Sequence, residues 1–381
     1  MENKIEIVAK TYHGLEEVLA SEIFILGGES IEKLNRAVRF FGNKEMIYRS
    51  NLYLRTALRI LIPVLTTRIE KQEDLYEKVR EFEWEKYIKL GNTFAVDTVL
   101  YSQIFSNSHF VSLRVKDAIA DRFKDKFRRR PSVNSENPDI AISVHLSGNE
   151  LIISIDTSGE SLHRRGYRLE EVQAPINEVL AAGMILISDW DRKTDFFDPM
   201  CGSGTFGIEA AMMARKIPPG VFRNKFSFEN SPDFERQLWT DIFDNIQEED
   251  WKGTIISSDI SGKALRIAAK NAKQASVLKN IEFKEIAFEN YPRINNKGLA
   301  ILNPPYGERM VKTEINSFYQ MIGNVMKKSF SGADVWIISS NSEAFKNIGL
   351  KSSVKLKLFN GQLECSYNKY EIYEGSKKII D

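Results

Sequence analysis

Asn303-Pro304-Pro305-Tyr306 follows directly on the apolar run Leu299-Ala300-Ile301-Leu302. Two successive prolines fit neither a helix interior nor a central strand, so they force a rigid, extended turn at the end of a buried strand. The turn stiffens an amide acceptor on Asn303, a carbonyl on Pro304 and an aromatic ring on Tyr306. The amide oxygen and the carbonyl can accept both hydrogens of an exocyclic amine while the ring stacks on the base that carries it. In an open α/β sheet, strand ends of this kind are where ligands bind.

A second constellation lies upstream, Phe197-Asp198-Pro199-Met200-Cys201-Gly202-Ser203-Gly204-Thr205-Phe206-Gly207. It reads as a strand that ends in a carboxylate, a glycine turn and the start of a helix. Glycine is needed where backbone turns tightly and approaches a ligand. Residues 202–207 also spell Gly-x-Gly-x-x-Gly, the dinucleotide fingerprint. The spacing argues against that ligand, because the next strand-end acid, Asp259, comes 61 residues after Asp198 where a dinucleotide fold places it about 20 residues on. S-adenosylmethionine suits both motifs. Asp198 and Pro199 would face its ammonium end, and Cys201, Gly202, Ser203, Gly204 and Thr205 would curve beneath it. Asp259 would accept from the ribose hydroxyls, with Ile260 beside it. A nucleophilic role for Cys201 finds no support, since no histidine is near it in sequence. All four histidines, His13, His109, His145 and His163, precede the glycine turn, so neither a histidine-based catalytic site nor a metal is expected.

Composition narrows the class further. The chain has 381 residues, 53 Lys and Arg against 52 Asp and Glu, and a net charge of +1. Two or three domains are expected from that length, and any nucleic-acid surface must be local. The candidates are residues 114–130, with eight basic and three acidic side chains ending in Arg128-Arg129-Arg130, and the cluster His163-Arg164-Arg165-Gly166-Tyr167-Arg168. The longest apolar run, residues 60–65, is too short to cross a membrane. Two cysteines, Cys201 and Cys365, give no disulfide framework. A reduced cytoplasm is the expected setting.

The elements that must position these residues follow from periodicity. Residues 5–9 and 36–41 read as strands, with helices over 14–26 and 44–55. Residues 94–100 alternate like a strand, and a helix over 108–127 points Phe110, Leu113, Val115, Ala118, Ile119 and Phe123 inward. Ser147-Gly148-Asn149 joins two further strands as a hairpin. Residues 157–175 read as a linker, and a helix over 176–188 follows. Strands at 195–197, 254–257, 281–284, 299–302 and 335–339 then alternate with helices, which predicts a mostly parallel sheet. Asn360-Gly361 closes a C-terminal antiparallel hairpin. Residues 217–252 read as a helical insertion packed by Trp239, Ile242 and Phe243.

With both motifs in place, the chain resembles bacterial rRNA guanine-N2 methyltransferases in which a THUMP RNA-binding domain precedes a class I methyltransferase. The likeness rests on Gly14-Leu15-Glu16, Val115 to Ile119, His163 to Arg168, Asp198 to Thr205 and Asn303 to Arg309. It implies a ferredoxin-like α+β region over 1–60, a THUMP-like RNA-binding domain over 61–160 and a Rossmann-like methyltransferase domain over 161–381. It also implies that Asn303, Pro304, Pro305 and Tyr306 are catalytic, that Arg128, Arg129, Arg130, Arg164, Arg165 and Arg168 contact RNA, and that the target is 23S rRNA or a ribosome assembly intermediate. The family usually places an acid near the adenine ring, where this chain has Ala287. Phe288 is the residue expected to pack there instead. A tRNA guanine methyltransferase and a DNA adenine-N6 methyltransferase would share the cofactor residues and the tetrapeptide. A non-catalytic ribosome-assembly factor is the alternative of a different class.

Overall fold

The computed structural model describes residues 4–172, 175–305 and 312–373. In chain order, the first part contains β1 (Ile5–Lys10), α1 (Glu16–Leu26), β2 (Glu29–Leu34), β3 (Ala37–Gly42), α2 (Lys44–Tyr53), β4 (Arg59–Arg68), α3 (Gln72–Glu81), β5 (Thr93–Tyr101), α4 (Ser108–Phe127), β6 (Ser132–Val133), β7 (Ile140–Ser147) and β8 (Glu150–Asp156). The second part contains α5 (Glu178–Ile187), β9 (Asp195–Asp198), α6 (Thr205–Ala214), α7 (Arg236–Asp244), β10 (Ile255–Asp259), α8 (Gly262–Gln274), β11 (Ile281–Glu285), β12 (Gly298–Leu302), α9 (Lys312–Ser329), β13 (Asp334–Ser339), β14 (Val354–Asn360) and β15 (Leu363–Glu371).

These elements form two compact units. The first is built on one eight-stranded sheet in the order β2-β3-β1-β4-β8-β7-β5-β6. Its α3 and α4 cover the β5–β7–β8 part, where Leu75, Val79, Val111, Val115, Ile119 and Phe123 pack over Phe94, Ile142, Val144 and Ile153. The inward stripe of α4 runs through Val111, not through its neighbours. Phe110 and Leu113 are 45% and 39% exposed, because the 3.6-residue period that buries Val111, Val115 and Ala118 turns those two outward. The periodicity reading missed β2 and α3. The first is an edge strand whose residues are nearly all exposed, and the second turns only Leu75 and Val79 inward.

The second unit carries the expected mostly parallel sheet, in the order β11-β10-β9-β12-β13-β15-β14. Strands β11 to β13 run parallel, and β15 joins β13 antiparallel, with β14 paired to β15 across the hairpin. Chain order runs outward from β9 to β10 and β11, then returns to the other side of β9 for β12. The strand order therefore reverses between β9 and β12, and a crevice opens outside the carboxyl ends of strands at such a point.

Two segments fold away from their sequence neighbours. Residues 12–18 belong to the second unit and residues 223–245 to the first. Leu15 is fully buried against α5, where a Cβ on Gly183 would lie 2.6 Å from a Leu15 methyl. Gly14, at φ 89°, passes so close to β14 that a Cβ would sit 2.8 Å from the Lys357 carbonyl oxygen. In the first unit, Phe226 and Phe228 enter the core around Ile7, Val38 and Phe40, with Leu238, Trp239 and Ile242 packed against it. Tyr48 stacks on Phe228 at 4.4 Å. Phe243 differs from expectation: it is 39% exposed and touches the edge of Trp239 without entering the core.

Burying each of Phe226 and Phe228 contributes about 2 kcal/mol. A fragment ending at residue 162 would leave that side of its core open. It is expected to bind a hydrophobic dye and to unfold over a broad range in urea, whereas the full chain unfolds sharply. A fragment with sharp unfolding and no dye binding would contradict this packing.

Candidate functional site

Three adjacent parallel strands, β10, β9 and β12, end in the residues that the two motifs supply. Asp259 closes β10, Asp198 closes β9 and Asn303 follows the last residue of β12. They stand side by side at the strand-order reversal because Ser257 is in register with Asp198, and Phe197 with Ala300.

Asp198 is completely buried. Its Oδ2 accepts from the Gly207 backbone N–H at 3.3 Å, while its Oδ1 has no hydrogen-bond partner among the described residues. Burial pushes its pKa up to about 8, opposed by the Gly207 hydrogen bond and assisted by the nearby Asp259 carboxylate. Asp259 is tied down more fully. Its Oδ2 accepts from the Gly202 N–H at 3.0 Å and its Oδ1 from the Ser261 N–H at 2.9 Å. Asp259 therefore fixes the glycine turn as well as lining it.

The turn requires its glycines. Gly202 and Gly204 have φ of 53° and 82°, in the left-handed region that favours glycine. A Cβ on Gly204 would lie 2.8 Å from the Ala268 Cβ, and one on Gly207 would lie 2.3 Å from Ser257 Oγ. Gly204 is also the N-cap of α6 and offers no side-chain cap, so the helix begins with the positive end of its dipole at the turn, and its Gly207 N–H is taken by Asp198. Pro199 is buried between Asp198 and the turn. Burial, reinforced by Asp198 and Asp259, pushes the Cys201 thiol well above its ordinary range, which keeps it protonated and poorly nucleophilic.

At the other motif, Asn303 Oδ1 is buried and has no partner among the described residues. Pro304 is buried and Pro305 exposed. Tyr306 lies outside the described residues. Buried polar atoms are nearly always paired, so the acceptors on Asp198 and Asn303, on adjacent strand ends and without partners among the described residues, are open to donors from a ligand. Among the described residues, no group of three His, Cys, Asp or Glu is placed to hold a metal ion.

Two expectations need correction. Phe288 turns into the interior, 6% exposed, and stacks on Phe330, so it does not offer a free ring face. Ile260, beside Asp259 and 72% exposed, is the open apolar side chain there. Of the three arginines in the cluster 163–168, only Arg164 has the exposure expected of an RNA contact. Arg165 is 2% exposed and pairs with the buried Glu209, which also accepts from Tyr167. Arg168 is spent on Glu178, Ser203 and Thr205. The sequence shows a run of positive charge there but not the buried acids, Glu178 and Glu209, that draw it inside.

The other basic segment is also partly neutralised. Arg122 and Lys126 both bind Glu85, whose pKa is held down at about 2, mainly by Arg122. Arg80 pairs with Asp125, and Arg130 reaches Asp121 at 2.5 Å. Arg128 and Arg129 are exposed, as are Lys124 and, at 39%, Phe127.

Comparison with known proteins matches residues 165–369 to the family described as RMKL-like, methyltransferase domain, residues 70–156 to the THUMP domain, and residues 6–61 to the RlmL ferredoxin-like domain. The chain is 34% identical over 369 residues to the Synechocystis protein named "Putative RNA methyltransferase slr0064", covering 96% of each. It is 34% identical to the "Ribosomal RNA large subunit methyltransferase K/L" of Syntrophotalea carbinolica, with 98% of this chain aligned. The chain spans about half the length of that relative, 54%. Among solved structures, SMU.472, described as "a putative methyltransferase complexed with SAH", superimposes with a TM-score of 0.86 at 31% identity, covering 99% of this chain and all of that one. S-adenosylmethionine is thus the cofactor. The site fits it: a buried carboxylate with one oxygen unpartnered among the described residues, a glycine turn closed to any Cβ at Gly204, and a helix start.

Asp198 gives this fit a pH signature. Its raised pKa means that the ligand-free protein gains stability below the ordinary carboxylate pKa and loses it as pH rises towards 8. A bound ammonium group favours the ionised form. SAH affinity is therefore expected to rise between pH 6 and 8, with proton release measurable by titration calorimetry in buffers of different ionisation enthalpy. D198N should abolish both effects. A flat pH profile for the unaltered protein would contradict the assignment.

Proposed function

The chain belongs to the RMKL-like methyltransferase family, and from that premise we propose that it transfers a methyl group to the exocyclic N2 amine of a guanine in 23S rRNA. The observation that carries the reading is the buried Asn303 Oδ1 just after β12, which has no partner among the described residues and lies one strand away from the Asp198 carboxylate.

The residues divide the work as follows. The cofactor supplies an electrophilic methyl group on a sulfonium. Asp198 and the start of α6 hold its amino-acid end, and Asp259 accepts from its ribose hydroxyls, with Ile260 alongside. The target base leaves its stack, and Tyr306 receives it face to face. Asn303 Oδ1 and the Pro304 carbonyl accept the two amine hydrogens, which turns the nitrogen lone pair towards the methyl group. Both acceptors would bind the amine nitrogen more strongly as it gained positive charge on taking the methyl group that the sulfonium would supply, the thioether leaving with the bonding pair. The extra proton then leaves to solvent. Proline stiffening means that little reorganisation is needed, so positioning supplies much of the acceleration.

The first unit carries the RNA. Arg128 and Arg129 offer unneutralised charge beside the exposed ring of Phe127, a combination that suits backbone phosphate and an unstacked base. Since Arg130 is engaged with Asp121, it contributes less.

N303A is expected to lower turnover at saturating substrates by about a hundredfold or more while leaving SAH affinity within about twofold; parallel loss of both would contradict the assigned role. R128E/R129E should weaken RNA binding and reduce the slope of log affinity against log salt by about 1.5 to 2. R130E alone should change that slope less. Unchanged salt dependence in the double variant would remove these two residues from the RNA surface.

A further inference from the structure

Residues 165–172 contribute no residue to the strand-end motifs, yet they lie against the glycine turn. Val172 comes within 3.3 Å of where a Cβ on Gly202 would stand. Two side chains fasten this strap. Asn271 of α8 is completely buried and makes four hydrogen bonds. Its Oδ1 accepts from the N–H groups of Leu169 and Glu170 at 2.9 and 3.3 Å. Its Nδ2 donates to the carbonyls of Glu170 and Ser203 at 2.9 and 3.2 Å.

Arg168 fastens the other side. Its Nε donates to Glu178 Oε1 at 2.6 Å, and its Nη2 to the Ile176 carbonyl at 3.1 Å. The remaining bonds go to the turn itself, from Nη1 to Ser203 Oγ and from Nη2 to Thr205 Oγ1, each at 3.0 Å. A cation against the first residues of α6 opposes the helix dipole. Glu178 offsets that cost, but a neutral side chain would avoid it altogether. What the guanidinium provides is direction. Each hydroxyl accepts from Arg168 through a lone pair, so its own proton must point elsewhere, and a hydroxyl polarised by a cation is a stronger donor.

We propose that Arg168 and Asn271 are positioning residues for the transfer reaction. They clamp the glycine turn between the strap and α8, and Arg168 presents the Ser203 and Thr205 hydroxyls as donors to the cofactor's anionic end. This rests on the methyl-transfer reading but not on the identity of the methylated base.

The test is SAH binding by calorimetry, without RNA, on the full chain. R168K keeps the charge beside Glu178 but loses the fork that spans both hydroxyls. T205V removes one acceptor at nearly constant volume. Each is expected to weaken SAH binding about tenfold, the loss of roughly one charge-assisted hydrogen bond. The double variant is expected to lose clearly less than the product of the two, because both changes break the same bond. In methyl-transfer assays, R168K should raise KM for the cofactor with kcat within about threefold. Unchanged SAH affinity in R168K, or losses that multiply fully in the double variant, would overturn the proposal. Should R168K not yield folded protein, T205V alone decides, since it leaves the Arg168–Glu178 pair intact: unchanged affinity overturns the proposal and a tenfold loss supports it. Failure to find methylguanine in RNA would leave this result standing and would instead overturn the assignment of the base.

Discussion

Two buried oxygens, Asp198 Oδ1 and Asn303 Oδ1, accept nothing from the described residues and stand at the ends of neighbouring strands. A buried acceptor left without a partner costs on the order of 1–3 kcal/mol, and burial also resists ionisation of the Asp198 carboxyl. A fold tolerates such groups where a ligand completes them. The parallel sheet determines where that happens. Because β10 and β12 are laid down on opposite sides of β9, Asp198 and Asn303 stand at neighbouring strand ends beside the strand-order reversal.

The surroundings of the crevice serve to keep it rigid. Asp259 holds Gly202 from the β10 side, Asn271 holds Ser203 from the α8 side, and Arg168 holds Ser203 and Thr205 from the strap side. The glycines bring the backbone close, and the side chains around them prevent the permissive backbone from wandering. The same economy explains the fate of Arg165 and Arg168. Their charge is used internally, to neutralise Glu209 and Glu178 beneath the turn.

Much of this was legible in the sequence because it was written in local chemistry. The β9 glycine turn and the Asn-Pro-Pro corner have backbone demands that only certain residues meet, and the alternating strands and helices of the second unit predict the mostly parallel sheet. What escaped depends on distant partners. Nothing near Arg165 announces Glu209, and nothing near Phe288 announces Phe330. Glu85, which neutralises Arg122 and Lys126, lies about 40 residues before them. The insertion was recognisable as an insertion, but its side chains carry no label naming the first unit as the core they complete. Charge runs were the least reliable signal, since a row of arginines looks the same whether it faces RNA or buried carboxylates.

The most direct measurement is nucleoside mass spectrometry after incubating the protein with unmodified ribosomal RNA and a cofactor carrying an isotopically labelled methyl group. The account predicts label on N2-methylguanosine released from the large-subunit RNA. Label on N6-methyladenosine, on ribose oxygen or on no nucleoside at all would contradict it.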